Sequence, residues 1–213
     1  MSGRTVVLRK TTPWAVGSLM LVAAAVVLYV FTGAAASAPS RAQPVGAGDI
    51  TYGPTGAPLV VMEYSDFECP FCAEYAVIMA QLREKYGDRV QFVFRFFPLK
   101  SHRYGMLSAQ AAYAASLQGK FWEMHDLLFE RQEEWAGSSD PRPYFDGYAG
   151  SLGLDVDRFR ADIDAPTTIS FIEAQHAEGT AAGVTHTPWF VVGDSAVLPR
   201  SVEDFEKLIE AGL

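Results

Sequence analysis

Past its first fifty residues, the chain reads as two strand signals around a helix, a long helical block, and a closing pair of strands with one more helix. Leu59–Tyr64 (LVVMEY) is a short apolar run after Pro58, the pattern of a strand buried on both faces. Cys72, Ala76, Met79, Leu82 and Tyr86 then recur at spacings of four and three, which predicts a helix with one apolar face ending near Gly87. Val90–Phe97 (VQFVFRFF) is β-branched and aromatic and stops at Pro98, a second strand. Strand, helix and strand in this order predict a βαβ unit with parallel strands.

About eighty helical residues follow. The expected helices are Tyr104–Leu117, Phe121–Trp135, Pro141–Leu152, Val156–Ile163 and Thr167–Ala182, separated by Gly, Pro and Asp. Strand character returns at Trp189–Val192, with a turn at Gly193–Ser195 and a short strand at Ala196–Leu198. Ser201 caps a final helix that turns Val202, Phe205, Leu208 and Ile209 inward. The pattern is α/β: βαβ, a helical insert over about residues 102–183, then ββα.

The N-terminal end differs in kind. Arg4, Arg9 and Lys10 precede a segment without charge from Thr11 to Ser40, apolar at its centre from Trp14 to Phe31. As a helix, Trp14–Ala36 reaches roughly 34 Å, enough to cross a bilayer. Basic residues before the span place the N-terminus in the cytoplasm and the bulk of the chain outside. Residues 1–36 are therefore expected to form a basic end and a transmembrane anchor. A cleaved signal peptide is the competing reading, because Ala36-Ser37-Ala38 resembles a cleavage site. The length of the apolar run and Pro39 after the scissile bond favour the anchor. Residues 37–49 read as a linker and 50–213 as the folded domain; the Ala, Gly, Pro and Ser richness runs on to about residue 57.

Composition narrows the function. Of 213 residues, 49% are hydrophobic and 20% charged, which suits a domain with a real core. The formal net charge of −8 argues against nucleic-acid binding. Export gives meaning to the two cysteines, Cys69 and Cys72, because disulfides form and persist outside the cytoplasm. Three residues apart, they close too small a loop to staple a fold. A metal site is disfavoured, since zinc needs three or four ligands and His102, His125, His176 and His186 have no ligand spacing.

Thiol chemistry needs one good thiolate and a second thiol that can attack back. Cys69 directly precedes a helix with Pro70 at its first position, where unpaired N–H groups and the helix dipole favour an anion. Cys72, one turn later on the apolar face, should be buried. The sequence thus predicts unequal thiols, an exposed nucleophile and a shielded partner. Glu63, in an apolar strand six residues before Cys69, should have a raised pKa suited to proton transfer, unless it reaches water at a strand edge. Asp66 and Glu68 read as solvated loop acids, His102 as a structural residue of the insert, and Trp122 and Trp189 as core or groove residues. His186 is placed either near the cysteines or on a surface loop.

"EYSDFECPFC" after an apolar strand, with "GVTHTPWFVV" after a helical block, resembles the DsbA-like thioredoxin-fold oxidoreductases of bacterial cell envelopes. The resemblance covers about residues 50–213 and extends through "FPLKSHRYG", "AQAAYAAS" and "GKFWEMHDLLF". It implies a thioredoxin fold with an inserted helical domain. It also implies that Cys69 attacks, Cys72 resolves and Glu63 moves a proton to or from Cys72. Thr187-Pro188 matches the family's cis-proline loop, which would lie against Pro70 and Phe71 and pair with an extended substrate segment. The strong oxidants of the family often carry His where this chain has Phe71.

The function expected on these grounds is an extracytoplasmic, membrane-anchored thiol–disulfide oxidoreductase that oxidises cysteine pairs in exported proteins. Its cysteines carry the electrons, so no prosthetic cofactor is implied. Its partners would be those exported proteins and a membrane re-oxidase or electron donor, and it should be a monomer. The same residues run backwards in a reductase or isomerase. A redox-inert peptide-binding module, with a permanent Cys69–Cys72 disulfide, is the alternative from another class.

Overall fold

The computed structural model describes residues 44–213 apart from residue 47. The expected transmembrane anchor lies outside the described residues. Among the described residues no helix is long and apolar enough to cross a membrane.

Five strands form one mixed sheet: β1 (Ile50–Tyr52), β2 (Leu59–Ser65), β3 (Val90–Phe96), β4 (Trp189–Val192) and β5 (Ser195–Val197). Their spatial order is β1-β3-β2-β4-β5. β2 and β3 run parallel in the centre, with Glu63 opposite Phe94 and Tyr64 opposite Arg95. β1, β4 and β5 are added antiparallel to their neighbours. This is a thioredoxin-like α/β arrangement. β1 escaped the hydrophobic pattern because three residues are too few to show an alternation; it forms by completing the outer ladder of β3.

α1 (Pro70–Tyr86) crosses from β2 to β3, as the 3.6-residue pattern predicts, with Arg83 and Lys85 near its negative C-terminal end. The insert comprises α2 (Gly105–Ser116), α3 (Phe121–Glu130), α4 (Gln132–Ala136), α5 (Arg142–Ser151), α6 (Val156–Ile163) and α7 (Pro166–Ala181); α8 (Val202–Gly212) closes the chain. α6 and α8 start at capped ends, where Asp155 accepts from Arg158 N and Ser201 from Asp204 N. The single helix expected over Phe121–Trp135 is in fact two. Arg131, at φ −106° and ψ 20°, breaks it and sets Gln132 off in a new direction.

Three apolar clusters hold these layers. One joins α1, β3 and the insert through Phe67, Cys72, Phe94, Phe96, Met124 and Phe129. A second packs the sheet on α1 and α8 through Val61, Leu82, Phe190 and Phe205. The third lies on the other face, where Met62, Tyr64, Val93 and Phe97 meet Val184. Gly179 lets α7 approach that face, since a Cβ there would stand 2.9 Å from the Phe97 ring. On the same face the Arg95 guanidinium binds the Asp49 carboxylate through two nitrogens and also donates to the Pro44 carbonyl and Tyr64 hydroxyl.

Candidate active site

Cys69 is the N-cap of α1, with extended backbone (φ −76°, ψ 120°) and Pro70 opening the helix after it. The Thr187–Pro188 bond is cis, and this loop lies against the cysteine: Cys69 Sγ donates to the Thr187 carbonyl at 3.5 Å. Both cysteines are thiols in this structure. The Cys72 thiol, by hydrogen bonding to the Cys69 sulfur, draws the Cys69 pKa down to about 6, and the Thr187 side chain and the N–H groups of Cys72 and Phe71 add to the effect against the cost of burial. Burial first, and the neighbouring Cys69 second, push Cys72 well above the ordinary thiol range. The unequal pair expected from the sequence is therefore present in the electrostatics.

The exposure of Cys69 is not as expected. It keeps only 4% of its surface, while Cys72 is fully buried as its place on the apolar face predicts. The cis-proline loop covers the first sulfur, a contact spanning 118 residues of chain that no local pattern reveals. Phe71, by contrast, is 61% exposed at the rim.

Glu63 is buried beneath this pair. Its pKa rises to about 7, chiefly through burial, opposed by the nearby Ser65 hydroxyl and the Arg83 guanidinium. Neither Glu63 Oε1 nor Ser65 Oγ has a hydrogen-bond partner. The negative charge of Glu63 in turn helps raise Cys72. The strand-edge alternative, in which Glu63 reaches water, is excluded by its position in the central strand at 3% exposure.

A family model described as "Thioredoxin" matches residues 46–211. The chain belongs to this thioredoxin family. Among solved structures it is similar to oxidised BdbD from Bacillus subtilis, with a TM-score of 0.70 and 22% identity over 82% of this chain and 97% of that one. It is likewise similar to alpha-DsbA1 of Wolbachia pipientis, with a TM-score of 0.69 and 20% identity over 80% of this chain and 92% of that one. In sequence it is 41% identical over 140 residues to the Na(+)/H(+) antiporter NhaA of Herminiimonas arsenicoxydans, covering 66% of this chain and 21% of that protein. A match to the Na(+)/H(+) antiporter NhaA 3 of Salinispora tropica is 39% identical over 145 residues, again 21% of the relative. The chain spans about a fifth of the length of these curated relatives.

Within this thioredoxin fold, two sequence expectations change. Asp66 is not a solvated loop acid: it is 1% exposed, and its carboxylate accepts from Leu99 N at 2.7 Å and Glu68 N at 2.8 Å and pairs with His102 Nδ1 at 2.7 Å. Glu68 is part-buried and accepts from Tyr104 N. Both acids thus tie the turn before Cys69 to the start of the insert. Gly105 is required there, since a Cβ would stand 2.9 Å from both Asp66 oxygens. His102 belongs to this tether, and Trp122 donates to the Thr51 carbonyl under the Arg83 guanidinium.

Two hollows lie along the elements that hold the site. One, of about 210 Å³, is lined by His186, Trp189, Ala196, Val197 and Leu198, just past the cis-proline loop. The other, of about 380 Å³, runs between α1 and α3 from Ala73 to Glu84, with Phe129 and the acids Asp126 and Glu130 in its wall. His186 therefore stands in the hollow beside the loop, its ring 5.0 Å from Trp189. Among the described residues no group of three or more His, Cys, Asp or Glu side chains has the arrangement of a metal site.

Proposed function

We propose that this protein is an extracytoplasmic thiol–disulfide oxidoreductase that oxidises cysteine pairs in exported proteins. The observation that carries the reading is the inequality of Cys69 and Cys72 at the start of α1, beside the cis Thr187–Pro188 loop. In the oxidised enzyme, a substrate thiolate attacks Cys69 Sγ. A mixed disulfide forms, the Cys69–Cys72 bond breaks, and Cys72 leaves as a thiolate. Because Cys72 favours its neutral form so strongly, it takes up a proton, and Glu63 is the buried acid placed to supply one. The substrate's second thiolate then attacks the mixed disulfide and releases Cys69 as its stabilised thiolate. Two electrons pass to the enzyme, and a membrane re-oxidase would remove them.

A stabilised Cys69 thiolate favours the reduced enzyme and hence oxidation of others. Phe71 supplies none of the charge that a histidine would there, but Cys72, Thr187 and two backbone N–H groups stabilise the thiolate without it. The apolar hollow past the cis-proline loop suits an unfolded segment, and Thr187-Pro188 offers backbone for an extended one. Ion transport is not carried over from the antiporters, of which the chain matches only a fifth. Their likeness favours a thiol domain working beside an integral membrane protein, in keeping with a membrane-bound partner.

The test is the Cys69–Cys72 reduction potential of the whole chain, equilibrated in glutathione buffers. A value near that of DsbA, about −120 mV, supports oxidation. A value near thioredoxin's, about −270 mV, turns the reading to a reductase supplied by a membrane electron donor. A bond that glutathione and dithiothreitol cannot reduce would leave the redox-inert peptide-binding module.

A further inference from the structure

The turn that presents Cys69 has no cap of its own, because no side chain within it bonds the free end of α1. It is instead held from the insert. Gln132 is 8% exposed, and its side-chain Nε2 donates to the Phe67 carbonyl at 2.6 Å and to the Cys69 carbonyl at 3.0 Å. Those two oxygens belong to the peptide units on either side of the Glu68–Cys69 one. Fixing them fixes the Cys69 backbone, and so where its Sγ stands against the N–H groups of Phe71 and Cys72. The break at Arg131 makes this reach possible by starting α4 afresh at Gln132. Trp135 anchors α4 in turn, donating to the Leu128 carbonyl at 2.8 Å.

We infer that Gln132 is a positioning residue for the attacking thiol: through the Phe67 and Cys69 carbonyls it holds the Cys69 backbone so that Sγ stands in line with the N-terminal N–H groups of α1, and so sets how readily the thiolate forms. This rests on the thiol–disulfide reading above. The physical reason is directional. N–H groups stabilise an anion only when they point at it, and a sulfur carried aside by a turned Cys69 backbone loses that alignment. With both Gln132 donors removed, the Phe67 carbonyl is left buried without its partner, and the turn relaxes to solvate it. The Cys69 carbonyl still accepts from Ala73 N, so α1 itself persists.

Gln132→Met keeps the length and volume of the side chain and removes its donors. In the whole protein, the expected result is a Cys69 thiolate titration displaced upward by about one unit, a tenfold weaker acid. It is followed by absorbance at 240 nm and by the pH dependence of alkylation. Mixed-disulfide formation with oxidised glutathione at pH 6 should slow several-fold, while the helical circular dichroism signal stays unchanged. Gln132→Glu supplies a second readout that does not depend on the first variant folding well. Protonated, its carboxyl can donate to one carbonyl; ionised, it repels both. Its exchange rate relative to the parent should therefore recover as the pH falls, a pH profile that a purely structural role would not produce.

Parent-like thiolate titration in Gln132→Met, with a parent-like pH profile in Gln132→Glu, overturns the inference and leaves the oxidoreductase reading intact. A parent protein that exchanges with no thiol or disulfide sinks that reading first, and this inference with it.

Discussion

Glu63 and Arg95 are equally deep in one sheet, at 3% and 2% exposure, yet they have been treated in opposite ways. They occupy neighbouring registers of the central strands and point to opposite faces, Glu63 with Phe94 toward α1 and Arg95 with Tyr64 toward α7. Arg95 has partners on all sides: the Asp49 carboxylate, the Tyr64 hydroxyl and the Pro44 carbonyl. Glu63 has one oxygen with no partner at all and a pKa raised to about 7. A buried charge that is fully paired stays charged and serves as a fastening. One that is left unpaired gives up its charge near neutrality, which is what a proton donor or acceptor needs. The structural side of the sheet and the chemical side differ in how completely their polar groups are satisfied.

The largest way to break this contrast is to unpair the fastening. Arg95→Met leaves Asp49, whose side chain is 6% exposed, without its counter-charge. The expected cost is about 3–5 kcal/mol, a fall of about 10 °C in Tm. Replacing Asp49 by Leu in the same chain should recover much of the loss, because an apolar pair avoids the desolvation altogether. Glutathione exchange by the folded fraction should be unchanged in both.

The next prediction turns on the sign of the Glu63 shift. The folded protein holds this proton more tightly than the unfolded chain does. Its contribution to stability is thus fully present below the unfolded value of 4.5 and is lost as pH rises through about 7. Glu63→Gln stays neutral throughout. It should equal the parent near pH 4 and exceed it by up to about 3 kcal/mol at pH 8, read from urea unfolding at the two pH values. The same variant should exchange more slowly, since proton transfer by a positioned acid is worth about 10²-fold or more. Equal stability gains at both pH values would show that Glu63 is ionised in the fold after all.

The smallest effect concerns the loop that covers the pair. Thr187 Oγ1 is buried with no hydrogen-bond partner while Cys69 is a thiol; turned to the thiolate it lowers the Cys69 pKa, and Thr187→Val removes it while keeping the shape. The thiolate titration should move up by about half a unit to one unit, the worth of one hydrogen bond. No change would assign the stabilisation to Cys72 and the backbone alone.

Much of this was legible from spacing. The face of α1, the two buried central strands, the helical insert and Cys69 ahead of Pro70 follow from repeats of two and 3.6 residues and from helix-end chemistry. The two faces of the sheet were less legible. Arg95 lies inside an aromatic run and gives no local sign that Asp49 will meet it. Asp66 looked like a loop acid because its three partners come from the turn itself and from residues 99–102, folded back over it. Gln132 was hidden within what reads as one continuous helix, since nothing at Arg131 announces the break.

The sequence by itself determined most of the elements, their order and the place of the cysteine pair at the start of α1, because these depend on side-chain period and on groups a few residues apart. Tertiary structure decided the state of each polar group: that Cys69 is covered, that Glu63 is left short of partners, that Asp66 and Arg95 are satisfied, and that Gln132 holds the turn before α1. The physical reason is that a polar group's protonation and orientation depend on burial and on its hydrogen-bond partners. Here the deciding partners lie between 31 and 118 residues away along the chain.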